Sequence, residues 1–88
     1  MKDETFDAYY YKALSQIVTS LRIKNGRTFE DVSLLVDLKP MTFYKYENGS
    51  RKMPITVFKK LCLLYNVDMK DTMNKINELA IKMMEGDE

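Results

Sequence analysis

The segment Thr28-Phe29-Glu30-Asp31-Val32-Ser33-Leu34-Leu35-Val36-Asp37-Leu38-Lys39-Pro40-Met41-Thr42-Phe43-Tyr44-Lys45-Tyr46-Glu47-Asn48-Gly49 reads as two short helices and the tight link between them. Thr28 supplies an N-cap hydroxyl, and Asp31 stands three residues later in the capping-box position, with a shorter arm than the usual glutamate. Val32 and Val36 point inward, and this helix stops near Asp37. Lys39-Pro40 starts the next one, because proline is favoured in a first helical turn, where its missing N–H would have no intrahelical partner. Phe43 and Tyr46 form its inward pair at a three-residue step. Asn48-Gly49-Ser50 is a stop and turn signal.

The flanks are helical too. Tyr10, Leu14, Ile17, Val18 and Leu21 recur at three- and four-residue steps and predict a first helix from Asp7 to Asn25, closed by Gly26, which takes the left-handed conformation at little steric cost. Pro54 opens a fourth helix reaching about Tyr65, with Phe58, Leu61, Cys62 and Tyr65 on its buried side. After the break Asn66-Val67-Asp68, Asp68 caps a fifth helix over about 69–85. There is no strand-like alternation, internal repeat or low-complexity tract. The prediction is an all-α fold of five helices: one domain over 1–88 with its core in about 14–73 and an extended C-terminal helix.

Eighty-eight residues allow one hydrophobic core, and 45% apolar residues are enough to fill it, while 31% charged residues leave a solvated surface. With one cysteine, Cys62, and no histidine, a disulfide within the chain is impossible and the usual zinc ligand sets are absent. Cys62 reads as a small buried filler. No metal and no cofactor are expected. Nor is an enzyme, since there is no phosphate-cradling glycine loop and no nucleophile with a nearby base in sequence. No apolar run approaches membrane-spanning length, and Met1-Lys2-Asp3-Glu4 lacks the apolar core of a signal peptide. A soluble, cytoplasmic protein is expected.

The net charge of +1 is unevenly distributed. Residues 1–38 carry five basic and six acidic side chains, net −1. Residues 39–60 carry six basic side chains (Lys39, Lys45, Arg51, Lys52, Lys59, Lys60) against Glu47 alone, net +5. Residues 61–88 carry three basic and six acidic, net −3. A basic centre between acidic flanks is a solvated cluster or a polyanion-facing surface. The corner formed by the second and third helices favours the latter, because a helix presented outward fits the major groove of B-form DNA, where each base pair displays its own donors and acceptors.

Over roughly Leu14 to Met73 the sequence resembles the Cro and lambda-repressor-like helix-turn-helix family. The residues that carry this are Leu21-Arg22, Gly26, Thr28, Val32-Ser33, Val36, Leu38, Phe43, Tyr46-Glu47-Asn48-Gly49, Met53-Pro54 and Tyr65-Asn66-Val67. The resemblance implies a compact five-helix lambda-repressor-like DNA-binding domain. In it Ser33 lets the second and third helices pack closely, and Arg22 and Glu47 form a structural ion pair. Val32, Val36, Leu38, Phe43, Tyr46, Ile55, Phe58, Leu61 and Val67 form core. It further implies base-edge contacts from Lys39, Met41, Tyr44 and Lys45, and phosphate contacts from Thr28, Asn48, Ser50, Arg51 and Lys52.

The sequence departs from the family at several of these positions. Phe29 stands where the family usually has glutamine, Pro40-Met41 replaces polar residues at the start of the recognition helix, and Leu34-Leu35 replaces charged ones. Phe29, Leu34, Leu35, Met41 and Tyr44 then form either an exposed apolar patch suited to a protein partner, or a surface folded under the N-terminal segment, where Phe6 and Tyr9-Tyr10-Tyr11 need neighbours. In the fifth helix Met69, Met73, Ile76, Ala80 and Met83 step by four and three residues, with Leu79 and Met84 beside them. That 3.5-residue seam packs on the chain's own core or on a second copy, and the paired half-sites of DNA favour a homodimer. The expected function is a dimeric sequence-specific regulator, most simply a repressor, since a bare domain of this size acts by occupying its operator. The alternative is an interaction module that kept the fold and lost base reading.

Overall fold

The computed structural model describes residues 3–87. Five helices follow one another: α1 (Asp3–Lys24), α2 (Phe29–Leu35), α3 (Pro40–Glu47), α4 (Ile55–Leu64) and α5 (Met69–Gly86). No strand occurs among the described residues. α1 begins a turn earlier than the apolar periodicity indicated.

A shared device closes the first four helices. Each is followed by one residue in the left-handed region: Gly26 (φ 67°), Asp37 (φ 60°), Gly49 (φ 83°) and Asn66 (φ 57°). In α1, α2 and α4 the next amide then reaches back to an orphan carbonyl, Arg27 N to Arg22 O at 3.2 Å, Leu38 N to Ser33 O at 2.8 Å and Val67 N to Cys62 O at 3.0 Å. Helix starts are marked as predicted. Thr28 Oγ1 accepts from Asp31 N at 3.1 Å while Asp31 Oδ2 accepts from Thr28 N at 3.4 Å, completing the capping box. The Asp68 carboxylate accepts from Asp71 N at 2.9 Å. Pro40 is the first residue of α3.

These stops fold the chain so that α1 lies along α5, and α2 and α3 form a corner whose second helix also touches α1. The core draws Leu14 and Val18 from α1, Val32 and Val36 from α2, Phe43 from α3, Phe58 and Leu61 from α4, and Ile76 from α5. Burying a side chain such as Phe43 or Leu61 contributes about 2–3 kcal/mol. Leu38, Tyr46 and Val67 pack at its margin, and Cys62 is buried as a free thiol whose pKa burial pushes up. Ile55 is a correction: expected in the core, it is 58% exposed. It opens α4 directly after Pro54, and Val57 and Phe58 take the inward side instead.

The second correction concerns Ile76 and Ala80 of the α5 seam, candidates for a dimer contact. Ile76 and Ala80 are fully buried in this chain's own core, and Met69, Met73, Leu79 and Met83 pack against it. The 3.5-residue spacing meets α1 of the same chain, so Ile76 and Ala80 are not available to a second copy.

The first turns of α1 extend this packing. The Tyr9 hydroxyl donates to the Asp87 carboxylate, tying the beginning of α1 to the end of α5. Phe6 and Tyr10 pack on the core, their rings 6.1 Å apart, and Tyr10 meets Tyr11 edge-on at 5.6 Å. Burial, with Tyr11 beside it, raises the pKa of Tyr10. Phe6, Tyr9 and Tyr10 thus find their neighbours in the core and at the end of α5. Leu34, Leu35 and Met41 are left uncovered.

Candidate nucleic-acid interface

Placement of α3 starts with one buried carboxylate. Glu47, at the last turn of α3, is 2% exposed. Arg22 Nε donates to both of its oxygens, at 3.1 and 3.0 Å, and Thr19 Oγ1 donates to Oε2 at 3.0 Å. The Arg22 Nη1 donates to the carbonyl of Arg27 at 2.8 Å, so one guanidinium joins α1, the α1–α2 turn and the end of α3. A charge this deeply buried is tolerated because its lone pairs are satisfied by a cation and a hydroxyl. Tyr65 lies against the same cluster, and its hydroxyl is buried without a hydrogen-bond partner. Burial, with Glu47 nearby, pushes its pKa up to about 12.

The other end of the corner is held by Ser33 and Phe29. Ser33 is buried, and its hydroxyl donates back to Glu30 O at 2.9 Å, which leaves a small smooth surface for α3 to approach. Phe29 takes the place expected of a glutamine with a different interaction. Its ring meets Phe43 and Tyr44 edge-on at 5.9 and 5.3 Å, and the Arg22 guanidinium lies 4.2 Å above it. An apolar brace thus fixes the side of α3 that a polar side chain usually fixes.

The outward side of α3 is open. Lys39 and Pro40 are exposed, Met41 is 63% exposed and Tyr44 46%, while Lys45 is half-buried. Thr28, at the start of α2, and Asn48, Ser50, Arg51 and Lys52, in the turn after α3, are exposed. The turn after α3 is ordered by Asn48 Oδ1, which accepts from Ser50 N at 2.8 Å, and by Arg51 N donating to Lys45 O at 3.2 Å. The base-edge candidates thus lie along α3 and four of the phosphate candidates in the turn that follows it, with Thr28 apart at the start of α2.

Of the two readings of the apolar residues here, the exposed patch holds for Leu34, Leu35, Met41 and Tyr44, whereas the surroundings of Tyr11 were not anticipated. Leu34 and Leu35, 81% and 57% exposed, extend the open face with apolar area. Tyr11 and Lys12 stand beside the Asn48–Lys52 turn, and the Lys52 ammonium lies over the Tyr11 ring, 5.8 Å from its centroid. The run Tyr9-Tyr10-Tyr11 was the only signal of this in the sequence. Among the described residues no cluster of His, Cys, Asp and Glu is arranged to hold a metal ion, and no helix is long and apolar enough to cross a membrane.

Element order, the α2–α3 corner and the Arg22–Glu47 brace together make a compact five-helix all-α fold that resembles the lambda-repressor helix-turn-helix fold. Among solved structures, it is similar to the clp gene regulator ClgR from Corynebacterium glutamicum, with a TM-score of 0.75 over 89% of this chain and 84% of that one. The two are 16% identical, so the likeness is one of fold. No protein-family model matches the sequence, and no curated protein matches it.

Proposed function

We propose that this chain is a sequence-specific double-stranded DNA-binding transcription regulator, acting as a repressor by occupying an operator as a homodimer. The observation that carries the reading is the free outward face of α3, with Met41, Tyr44 and Lys45 along it and Arg51 and Lys52 at its end. The fold shared with a protein described as a gene regulator supports it. Lys45 and the Tyr44 hydroxyl reach donors and acceptors on base edges, and Met41 takes a thymine methyl. Thr28, Asn48, Ser50, Arg51 and Lys52 grip phosphates on either side and set register without reading sequence. With Ile76 and Ala80 inside the core, pairing is assigned to the apolar groups left outside on α4, Ile55 and Leu63, 58% and 74% exposed.

Selection of bound duplexes from a random pool at two salt concentrations tests this. A palindromic consensus with half-sites about 34 Å or a multiple apart supports it. A pool that stays random at both concentrations counts against base reading.

The exposure of Leu34, Leu35 and Met41 favours a second reading, an interaction module that binds and modulates another protein through Phe29, Leu34 and Leu35. Under that reading a protein partner is retained regardless of salt, and no duplex is retained at low ionic strength.

A further inference from the structure

A cleft of about 700 Å³ opens between the first turns of α1 and the turn that follows α3. Its size is that of small-molecule sites, which run to several hundred Å³. One wall is Ala8, Tyr11 and Lys12; the other is Gly49, Ser50 and Lys52. The walls meet at Gly49. A Cβ there would make only ordinary contact, 3.5 Å from the Tyr11 carbonyl oxygen and 3.9 Å from the Ser15 Cβ, so it is the left-handed backbone at φ 83° that calls for glycine in this turn. Bare backbone, the Ala8 methyl and the Tyr11 ring make flat apolar surfaces. The two lysines outnumber the single carboxylate, Asp7; the Lys52 ammonium lies against the Tyr11 ring, and the Lys12 ammonium, 5.8 Å from the Tyr9 ring centroid, swings in only when an anion is present.

We propose that this cleft binds a small aromatic anion, its ring against Tyr11 and its charge toward Lys52 and Lys12. The consequence rests on the DNA-binding reading: Asn48, Ser50 and Lys52 both line the cleft and flank α3, so an anion held there neutralises Lys52 and displaces a phosphate. Occupancy releases DNA, which makes the cleft an effector site built into the reading head.

The test uses phenyl phosphate as probe, with inorganic phosphate and benzyl alcohol carrying its two halves separately. Amide shifts of the isotope-labelled full chain are followed in each titration. Phenyl phosphate is expected to move Ala8, Tyr11, Gly49 and Lys52 and to bind about ten-fold more tightly than either half, as cooperation of ring and charge requires. Ala8→Trp, a change at an exposed position that fills the cleft, abolishes those shifts while the thermal melt stays unchanged. Equal binding of inorganic phosphate and phenyl phosphate, or shifts scattered over the surface, overturns the proposal. Should Ala8→Trp fail to fold, Gly49 and Tyr11 shifts in the parent chain decide by the same comparison. The regulatory consequence is read separately, as loss of duplex retention with phenyl phosphate but not with equimolar inorganic phosphate. Phenyl phosphate binding in a protein that retains no duplex at all upholds the cleft and removes the DNA reading.

Discussion

The Phe29 ring meets the Tyr44 ring edge-on, with centroids 5.3 Å apart, so an apolar residue at the start of α2 positions an exposed residue on the open face of α3. The pair is also covered by Arg22, whose guanidinium stacks on Phe29. Phe29→Leu keeps most of the buried area but removes the edge contacts and the cation stacking. A loss of about 1 kcal/mol in urea-unfolding free energy is expected. Binding to the selected duplex weakens about five-fold, a difference of roughly 1 kcal/mol, while binding to random duplex changes little, because Tyr44 is freed and the phosphate contacts are not.

Glu47 is the larger structural commitment. Glu47→Ala leaves Arg22, itself only 13% exposed in its side chain, without its counter-ion, and is expected to destabilise by about 3–5 kcal/mol. Glu47→Gln keeps an acceptor for Arg22 and a volume match, so it loses clearly less. Urea midpoints of the two variants check the order. Equal losses would show that the carboxylate charge itself, rather than an acceptor of matching volume, fixes α3.

Tyr65 sets an alkaline limit. Its pKa is raised from 10.0 to about 12 in the folded chain, so the folded state keeps a proton that the unfolded state has already released. Stability is whole below pH 10 and falls as pH climbs from the unfolded value toward the folded one. Tyr65→Phe removes this contribution and a buried hydroxyl with no partner, so it is neutral or stabilising by about 1 kcal/mol at pH 7. Thermal melts between pH 8 and 12 (roughly spanning both ionisations) should fall less steeply in the variant. Some slope remains, because burial also raises Tyr10.

Leu63 tests the pairing surface. A charge at this position, 74% exposed in the single chain, leaves the fold intact and splits a homodimer formed through α4. Sedimentation of Leu63→Glu is expected to give a monomer with an unchanged circular dichroism spectrum. A dimer that survives would return the interface to the half-buried methionines of α5.

The corner was legible in the sequence because each of its signals is local. Thr28 with Asp31, Pro40, and the Asn48-Gly49 turn act within four residues, and all three stand where expected. Arg22–Glu47 was legible only through family resemblance, since nothing in the spacing of two charges 25 residues apart pairs them. The α5 seam shows the opposite limit. A 3.5-residue apolar repeat specifies that a helix lies alongside but not whose helix it is, and α1, extended by a turn, supplies it here. Ile55 was misplaced because the resemblance alone put it in the core, whereas directly after Pro54 it opens α4 on the outer side and Val57 and Phe58 turn inward. The cleft beside Gly49 depends on two segments about 40 residues apart meeting main chain to main chain, which leaves no pattern in either.

Salt titration of duplex binding tests the DNA-reading claim most directly. If Arg51 and Lys52 of both protomers meet phosphates, and Lys39 and Lys45 displace counterions from the groove they enter, about eight counterions are released and the slope of log K against log salt is roughly −7. The Arg51→Ala, Lys52→Ala double variant should flatten it to about −3 to −4, since four of those contacts are gone. A duplex affinity that does not change with salt, or no duplex retained at low ionic strength, would contradict the account.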